Sequence, residues 1–402
     1  MNNDNLSKTI IIAGGATGGH FFPALTLAHE LIHQHGITHI IMVVNEKAKL
    51  LQNHIPLDFF TPLEKKKNGE SKFDGTVIEK GEKISSINNN SLTGLRYEYL
   101  PTLKRSRNIF MCMYTLIKAF IMSWRLISRV HPDVVVGFGS SVSVPLIITG
   151  WLQSVPTIIH EQNVIWGLAN KLLYFFTKKV AISFPPGENQ RRKEKIVYTG
   201  NLIRHDILDY IKNVRLSAEE KVNKKYTVLI VGGSQGACFI NDVVIGMLAM
   251  LNEEERNMVR IQHILGERGH DTVYKEQYDK LDIEYYLYSF YFDITKLYKE
   301  TDIVISRAGA GTLFEIMAFG IPSILIPYPY AGAHQYENAS YVYTRGAALI
   351  FEQSDISPIQ LKDALFSLIR NGEQWSVMRS RSKECAHLNG HELLAREVIK
   401  LL

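Results

Sequence analysis

Residues 14–24, GGATGGHFFPA, place four glycines, a threonine and a histidine directly after the apolar run TIIIA. Backbone bared at the mouth of a strand offers N–H groups to an anion, and the N-terminus of a following helix adds partial positive charge. The imidazole of His20 titrates near neutrality, which suits a general base that takes a proton from a hydroxyl nucleophile. A helix N-terminus disfavours imidazolium, so two other readings stand beside it: a neutral ring that orients a substrate or its diphosphate, and a structural histidine. Similar loops recur as GFGSS at 137–141, GGSQGA at 232–237 and SRAGAG at 306–311. Any one of them is as well explained by a tight strand-to-helix turn. As a set they point to a phosphorylated substrate held between two domains.

The elements that must position these loops are short apolar runs, each ending in a glycine loop: TIIIAGG, PDVVVGFGSS, YTVLIVGGSQG and DIVISRAGAG. Such runs read as strands buried on both faces. Amphipathic segments of helical length lie between them, PALTLAHELIHQHG at 23–36 and GTLFEIMAFG at 311–320 among them. Alternating strands and helices predict an α/β chain of doubly wound parallel sheets. New strand-glycine units begin at Thr9 and near Tyr226, and 402 residues exceed one small core, so two such domains are expected. They are placed at 1–203 and 204–385, the boundary falling in TGNLIRHDI, with a C-terminal helix at about 386–402 packing back on the first. Residues 62–96 are polar, rich in Lys, Asn, Ser and Gly, and read as a surface loop without chemistry.

Several function classes fall away. Three widely spaced cysteines, Cys112, Cys238 and Cys385, disfavour disulfide scaffolds and metal clusters, and the His29, His33, His35 run reads as an exposed helical face lacking other metal ligands. Neither 14-GGATGG-19 nor 232-GGSQGA-237 fits GxGxxG in register, and Glu46 is the one ribose-binding acid a dehydrogenase reading could use. The polar N-terminus lacks the basic flank and apolar core of a secretion signal, and no run of about 18 uncharged apolar residues predicts a spanning helix. A net charge of +5 favours anionic partners. Basic residues form no domain-wide stripe, which argues against nucleic acid.

Five stretches, GGATGGHFFPALTLAHEL, HEQNVIWGLANK, TGNLIRHD, VGGSQGACFIND and SRAGAGTLFEIMAFGIPSILIPYPYAGAHQYENA, resemble in order the motifs of the MurG family, N-acetylglucosaminyltransferases of glycosyltransferase family 28. The resemblance covers nearly the whole chain except 62–96. It implies a GT-B fold, two Rossmann-like domains facing a cleft, and inverting, metal-independent transfer of GlcNAc from UDP-GlcNAc. The implied acceptor is the C4 hydroxyl of MurNAc in the polyprenyl-diphosphate-linked MurNAc-peptide lipid I, giving lipid II of peptidoglycan. No cofactor is implied, and the chain carries no Asp-x-Asp pair to hold a divalent ion on a nucleotide sugar.

Residue by residue, the resemblance assigns catalysis to His20 and Glu315. It assigns the donor to Thr17, Gly18, Gly19, Asn163, Arg204, Ser234, Gln235, Tyr291, the run Ala310, Gly311, Thr312, Leu313, Phe314 and Glu315, and Gln335 with Asn338. Glu315 would accept hydrogen bonds from the ribose hydroxyls. Its alternative is an acidic first-turn residue that complements the helix dipole. Arg204 would meet the donor diphosphate, and its alternative is a plain salt bridge. The acceptor diphosphate falls to Gly18, Gly19, Gly139, Ser140 and Ser141. Three positions depart from the family pattern: His334 for a glutamine, Phe292 for an aspartate and Ser140 for a glycine.

A polyprenyl acceptor lies in a membrane. Residues 103–130 are very apolar and begin with Lys104, Arg105 and Arg107, and Phe110, Tyr114, Ile117 and Phe120 share one helical stripe. Such a stripe is often core, but apolar character most of the way round with a basic start suits an interfacial helix drawn to anionic lipid. With Trp151 it forms the expected docking patch, so the chain is expected as a peripheral protein on the cytoplasmic face of the cell membrane. Proteins of the cell-wall machinery are candidate partners. The competing readings are a UDP-GlcNAc 2-epimerase, another GT-B lipid glycosyltransferase, and a degenerate homologue that binds nucleotide sugar without catalysis.

Overall fold

The structure, a computed structural model, describes residues 8–15, 17–52, 95–101, 109–187, 193–213, 225–232, 237–266, 271–330 and 334–402. The first sheet has seven strands, β1 (Thr9–Ala13), β2 (His39–Asn45), β3 (Leu95–Leu100), β4 (Val134–Gly137), β5 (Thr157–Glu161), β6 (Lys179–Ile182) and β7 (Ile196–Tyr198). They lie in the order β3-β2-β1-β4-β5-β6-β7, all parallel. The second holds β8 (Tyr226–Val231), β9 (Val259–Ile264), β10 (Glu284–Tyr288), β11 (Ile303–Ser306), β12 (Ser323–Leu325) and β13 (Ala348–Ile350), parallel in the order β10-β9-β8-β11-β12-β13. These are the two doubly wound sheets expected.

Both sheets grow outward from their first strand and then resume on its other side. The reversal opens a crevice at the carboxyl ends of β1 and β4, and of β8 and β11. Ala13 pairs with Gly137 and Val231 with Ser306, so the glycine loops after β1 and β4 meet at the first crevice and the loop after β11 opens on the second. The strands read as uninterrupted apolar runs because both faces are covered. Ile10 and Ile12 pack under the helix Gly18–His35, and Ile11 and Ala13 pack with Leu126, Ile127 and Leu146 of the opposite layer.

The helix Gly390–Ile399 sends Leu394, Ala395 and Val398 into the core of the first sheet. Its entry is tight: a Cβ on Gly390 would stand 2.3 Å from the carbonyl oxygen of Asn201. The helix after β1 begins at Gly18 rather than at Pro23, since the glycines and His20 form its first turn. Pro23 lies inside it and lacks the N–H that would bond the Gly19 carbonyl. Residues 95–96 are the start of β3, whose alternating half-buried pattern the polar residues before it conceal; the rest of the 62–96 segment lies outside the described residues.

The histidines of the first helix do not form a solvent face. His29 stacks on His33 with 4.1 Å between centroids and on His205 at 3.8 Å, and His205 meets the buried His391 at 5.9 Å. His391 lies 3.9 Å from the buried Glu30. Burial pushes the His391 and His160 imidazoles down to about 4. A depressed histidine holds fewer protons folded than unfolded, so its stability contribution is complete above about pH 6.5 and is lost as pH falls toward 4. Each is expected to remove about 3 kcal/mol over that window. Urea midpoints at pH 7 and pH 5 test this in a Glu315→Gln background, where that carboxyl cannot titrate in the opposite sense, and an unchanged midpoint there would refute it.

Candidate functional site

On the first domain's side, Thr17 caps the helix with extended backbone and accepts the N–H groups of His20 and Phe21 through its carbonyl. The N–H groups of Gly18 and Gly19 stay outside the helical ladder, as first-turn donors do. The β4 loop joins them: the Ser140 hydroxyl donates to the Gly14 carbonyl at 3.2 Å. Gly139, at φ +77°, has its Cα so close to the Asn170 side chain that a Cβ there would lie 2.7 Å from Nδ2. Ser140 and Ser141 follow, the latter exposed.

His20 sits over Gly15, beside the Phe138 carbonyl and the Gln162 side chain. Burial lowers its pKa, outweighing the opposing pull of the Glu161 charge. The ring is therefore neutral at pH 7. Its Nδ1 is buried and has no protein partner.

Glu161 organises the next loop, a role the sequence reading passed over. Buried to 1% exposure, its carboxylate accepts from the Asn163 and Gly167 backbone N–H groups at 2.9 Å and from Asn170 Nδ2 at 2.8 Å. Those charge-assisted bonds fix Asn163 at the cleft. Asn338, from the helix His334–Tyr343 of the second domain, donates to Asn163 Oδ1 at 3.0 Å and to the Ala308 carbonyl at 3.2 Å, and accepts from Val164 N–H at 3.0 Å. Both Nδ2 hydrogens of this fully buried amide are committed to protein, so Asn338 joins the domains and does not face a ligand. His334, the departure from the family glutamine, lies 2.9 Å through Nδ1 from the Ile165 carbonyl and serves the same junction.

Across the cleft, Arg204 pairs with Asp206 at 3.2 Å and donates to the Phe292 carbonyl at 2.7 Å. Its guanidinium lies between Phe22 of the first domain, at 4.9 Å, and Phe292 of the second, at 5.0 Å. The salt bridge and the cleft position are thus both real. The phenylalanine that replaces the family aspartate supplies half of this cation–π sandwich. Tyr291 precedes it and packs against Tyr288.

Glu315 accepts from Tyr298 Oη at 3.1 Å, and burial pushes its carboxyl up to about 7 against the opposing Arg204 charge. It stands in the second turn of the helix Ala310–Phe319, whose first turn has no acid, so the dipole reading of Glu315 falls. Ala310, Gly311 and Thr312 form the first turn beneath the Gly309 cap, while Leu313 and Phe314 point into the core. Gln335 Oε1 accepts from Ala308 N–H at 3.2 Å and Tyr328 N–H at 3.0 Å, holding two strand-end loops together. Buried Arg307 supports the same corner by donating to the Ile326 and Pro327 carbonyls. Ser234 and Gln235 lie outside the described residues, as do Lys104, Arg105 and Arg107. Among the described residues, no group of three or more His, Cys, Asp or Glu is arranged to hold a metal ion.

Most of each sheet falls within matches to known family models. Residues 10–182 match the glycosyltransferase family 28 N-terminal domain and residues 227–396 the glycosyltransferase family 28 C-terminal domain. A UDP-N-acetylglucosamine--N-acetylmuramyl-(pentapeptide) pyrophosphoryl-undecaprenol N-acetylglucosamine transferase from Rickettsia canadensis is 34% identical over 404 residues, covering 98% of this chain and all of that protein. The chain belongs to glycosyltransferase family 28. The crystal structure of Acinetobacter baumannii MurG superposes with a TM-score of 0.68 at 24% identity, covering 98% of this chain and 99% of that one. A UDP-GlcNAc 2-epimerase from Neisseria meningitidis reaches 0.63 at 11% identity, covering 98% of this chain and 100% of its own. The GT-B fold is therefore common to both chemistries, and family 28 membership rests on the sequence.

The helix Ile109–Val130 lies on the first domain. It is long and apolar enough to cross a membrane by length and composition alone, with a mean hydropathy of 1.4 over an 18-residue window, although Lys118 and Arg125 interrupt its apolar run. Its 22 residues reach about 33 Å, close to a bilayer core. One side is fixed, with Ala119, Ser123, Leu126 and Ile127 buried, and Ser128 bonding Gln153 of the neighbouring segment. The other side exposes Phe110, Tyr114 and Ile117 together with Ile109, Met113, Ile121 and Trp124, and Trp151 stands out nearby. Phe120 is half-buried, since its position on the stripe turns toward the domain.

Proposed function

We propose that this family 28 enzyme is an inverting N-acetylglucosaminyltransferase that moves GlcNAc from UDP-GlcNAc to the C4 hydroxyl of MurNAc in undecaprenyl-pyrophosphoryl-MurNAc-pentapeptide. The observation that carries the reading is a neutral imidazole in the first turn of the helix whose Phe22 packs on Arg204 of the other domain, the charge of Arg204 acting in turn on Glu315. His20 takes the proton of the C4 hydroxyl as that oxygen bonds to C1 of GlcNAc. The bond from C1 to the diphosphate oxygen breaks, and its electron pair leaves with UDP. In-line displacement of this kind inverts the anomeric centre.

On the donor side, Glu315 takes the ribose hydroxyls, the backbone beside Tyr291 takes the uracil, and Arg204 with the loop at Ser234 and Gln235 takes the diphosphate. Gln335 reads the sugar through its remaining amide donors. The N–H groups of Gly18 and Gly19, with Gly139, Ser140 and Ser141, cradle the acceptor diphosphate. Domain 1–203, with the C-terminal helix, presents the acceptor, and 204–385 presents the donor. The exposed apolar side of Ile109–Val130, with Trp151, seats the enzyme on anionic lipid at the cytoplasmic face of the membrane.

Wild-type protein is expected to transfer labelled GlcNAc from UDP-GlcNAc to a short-chain lipid I analogue in the presence of EDTA. Release of free UDP with formation of a 2-epimer, and no labelled disaccharide, would replace this reading with epimerisation.

A further inference from the structure

Beyond Asn163 the same loop leaves the cleft and forms one wall of a pocket of about 400 Å³, lined by Val164, Ile165, Trp166, Lys171, Tyr174 and Ile196, with Lys193 at its rim. That volume is of small-ligand size. The walls are mostly apolar and aromatic, and Lys171 and Lys193 are among the lining residues. Lys193 and Lys195 stand over the Tyr174 ring at 5.2 and 4.5 Å. Lys171 and Lys193 are exposed, and neither appears in an ion pair among the described residues. An apolar recess lined by two exposed lysines that are in no ion pair among the described residues fits a ligand with small apolar side chains and carboxylates.

Position selects which ligand. Val164 is the residue after Asn163, and its N–H bonds to Asn338 while the Ile165 carbonyl meets His334. The pocket wall is thus pinned to the domain junction, one Cα step of about 3.8 Å from the cleft. From there the recess runs along the edge of the first sheet to Ile196, the first residue of its edge strand β7. The acceptor named for the Rickettsia canadensis relative carries a pentapeptide on the sugar that reacts. Five extended residues reach about 17 Å, enough to follow that edge.

We propose that this pocket is the subsite for the peptide of the acceptor, with Lys171 and Lys193 pairing with its carboxylates and Trp166, Tyr174 and Ile196 receiving its apolar side chains. The proposal rests on the glycosyl-transfer reading above. It assigns acceptor specificity to a surface outside the glycine loops, and it gives the peptide a place in binding rather than in chemistry.

The test is steady-state kinetics of the full chain with two soluble short-prenyl acceptors, one bearing the pentapeptide and one ending at the lactyl carboxamide. For Lys171→Ala/Lys193→Ala the KM for the pentapeptide acceptor is expected to rise about tenfold. The kcat, the KM for UDP-GlcNAc and turnover of the peptide-free acceptor stay at wild-type values. An equal loss on both acceptors, or no loss on either, overturns the proposal while leaving the transferase reading intact. Weakened binding to phosphatidylglycerol vesicles with no discrimination between acceptors also overturns it, and assigns the lysines to the membrane. If wild type transfers to neither acceptor, the transferase reading and the proposal fall together.

Discussion

Replacing His20 with alanine is expected to lower kcat by about 10² to 10⁴ while leaving the KM for UDP-GlcNAc within about twofold of wild type. The expectation follows from what holds the ring. Burial and its place in the first helical turn both disfavour imidazolium, and these outweigh the Glu161 charge. The lowered pKa makes His20 a base already deprotonated at neutral pH. The wild-type rate should therefore climb with pH on an acid limb centred below 6.5, the unperturbed histidine value, and be level above it. In the alanine variant that limb should vanish along with most of the rate. Asparagine at position 20 distinguishes a base from an orienting group: it can hydrogen-bond an acceptor but cannot take its proton. A kcat for His20→Asn within threefold of wild type would assign His20 to orientation and leave the base elsewhere.

The acid limb must be read apart from acid unfolding, which the buried His160 and His391 set in the same direction. The two differ in reversibility and in their target. Titration of His20 changes kcat on a folded enzyme and reverses at once, whereas the other histidines change the fraction folded. Brief incubation at pH 5 followed by assay at pH 7.5 separates them.

How much of this could be read in advance depended on whether the signal was local. The runs TIIIAGG and YTVLIVGGSQG announce a strand and its loop together, because a parallel strand is apolar on both faces and the turn that follows needs glycine. β3 went unseen because LRYEYL is half-buried with charges at every second or third position, and it follows a polar stretch that carries no period. The same locality governs the site. His20 and Glu315 are legible from their motifs, but the second-turn position of Glu315 depends on where the helix starts, which the glycines around Gly309 leave open. The helix from Gly18 raised the same difficulty: the apolar period marks its body from Pro23 on, but not the residue at which it starts. Glu161 looked like part of a motif and proved to be the anchor of its loop. The histidines at 29 and 33 looked solvated because their partners, His205 and His391, lie more than 170 residues away.

Glu315→Ala is expected to raise the KM for UDP-GlcNAc by about 10- to 100-fold, in line with the loss of hydrogen bonds to a charged group. The carboxylate stands buried beside Tyr298, its pKa raised to about 7 because burial outweighs the Arg204 charge. The ionised form is the stronger acceptor, since protonation turns one carboxyl oxygen into a donor and removes the charge that strengthens both bonds. Donor affinity in the wild type should accordingly improve as pH rises through about 7, in KM rather than kcat, which distinguishes it from the His20 limb. Linkage gives the stability sign. A carboxyl raised from 4.5 to about 7 favours the fold below pH 4.5, and that contribution, about 3 kcal/mol, is lost as pH rises through 7. Glu315→Gln keeps the shape and removes the buried charge, so at pH 8 it should melt at a higher temperature than wild type while binding donor more weakly. A site that is less stable with its functional residue than without it is holding that residue for the ligand. If the glutamine variant melts no higher at pH 8 and binds UDP-GlcNAc as wild type does at every pH, Glu315 is a structural partner of Tyr298 and the ribose must find its acceptor elsewhere.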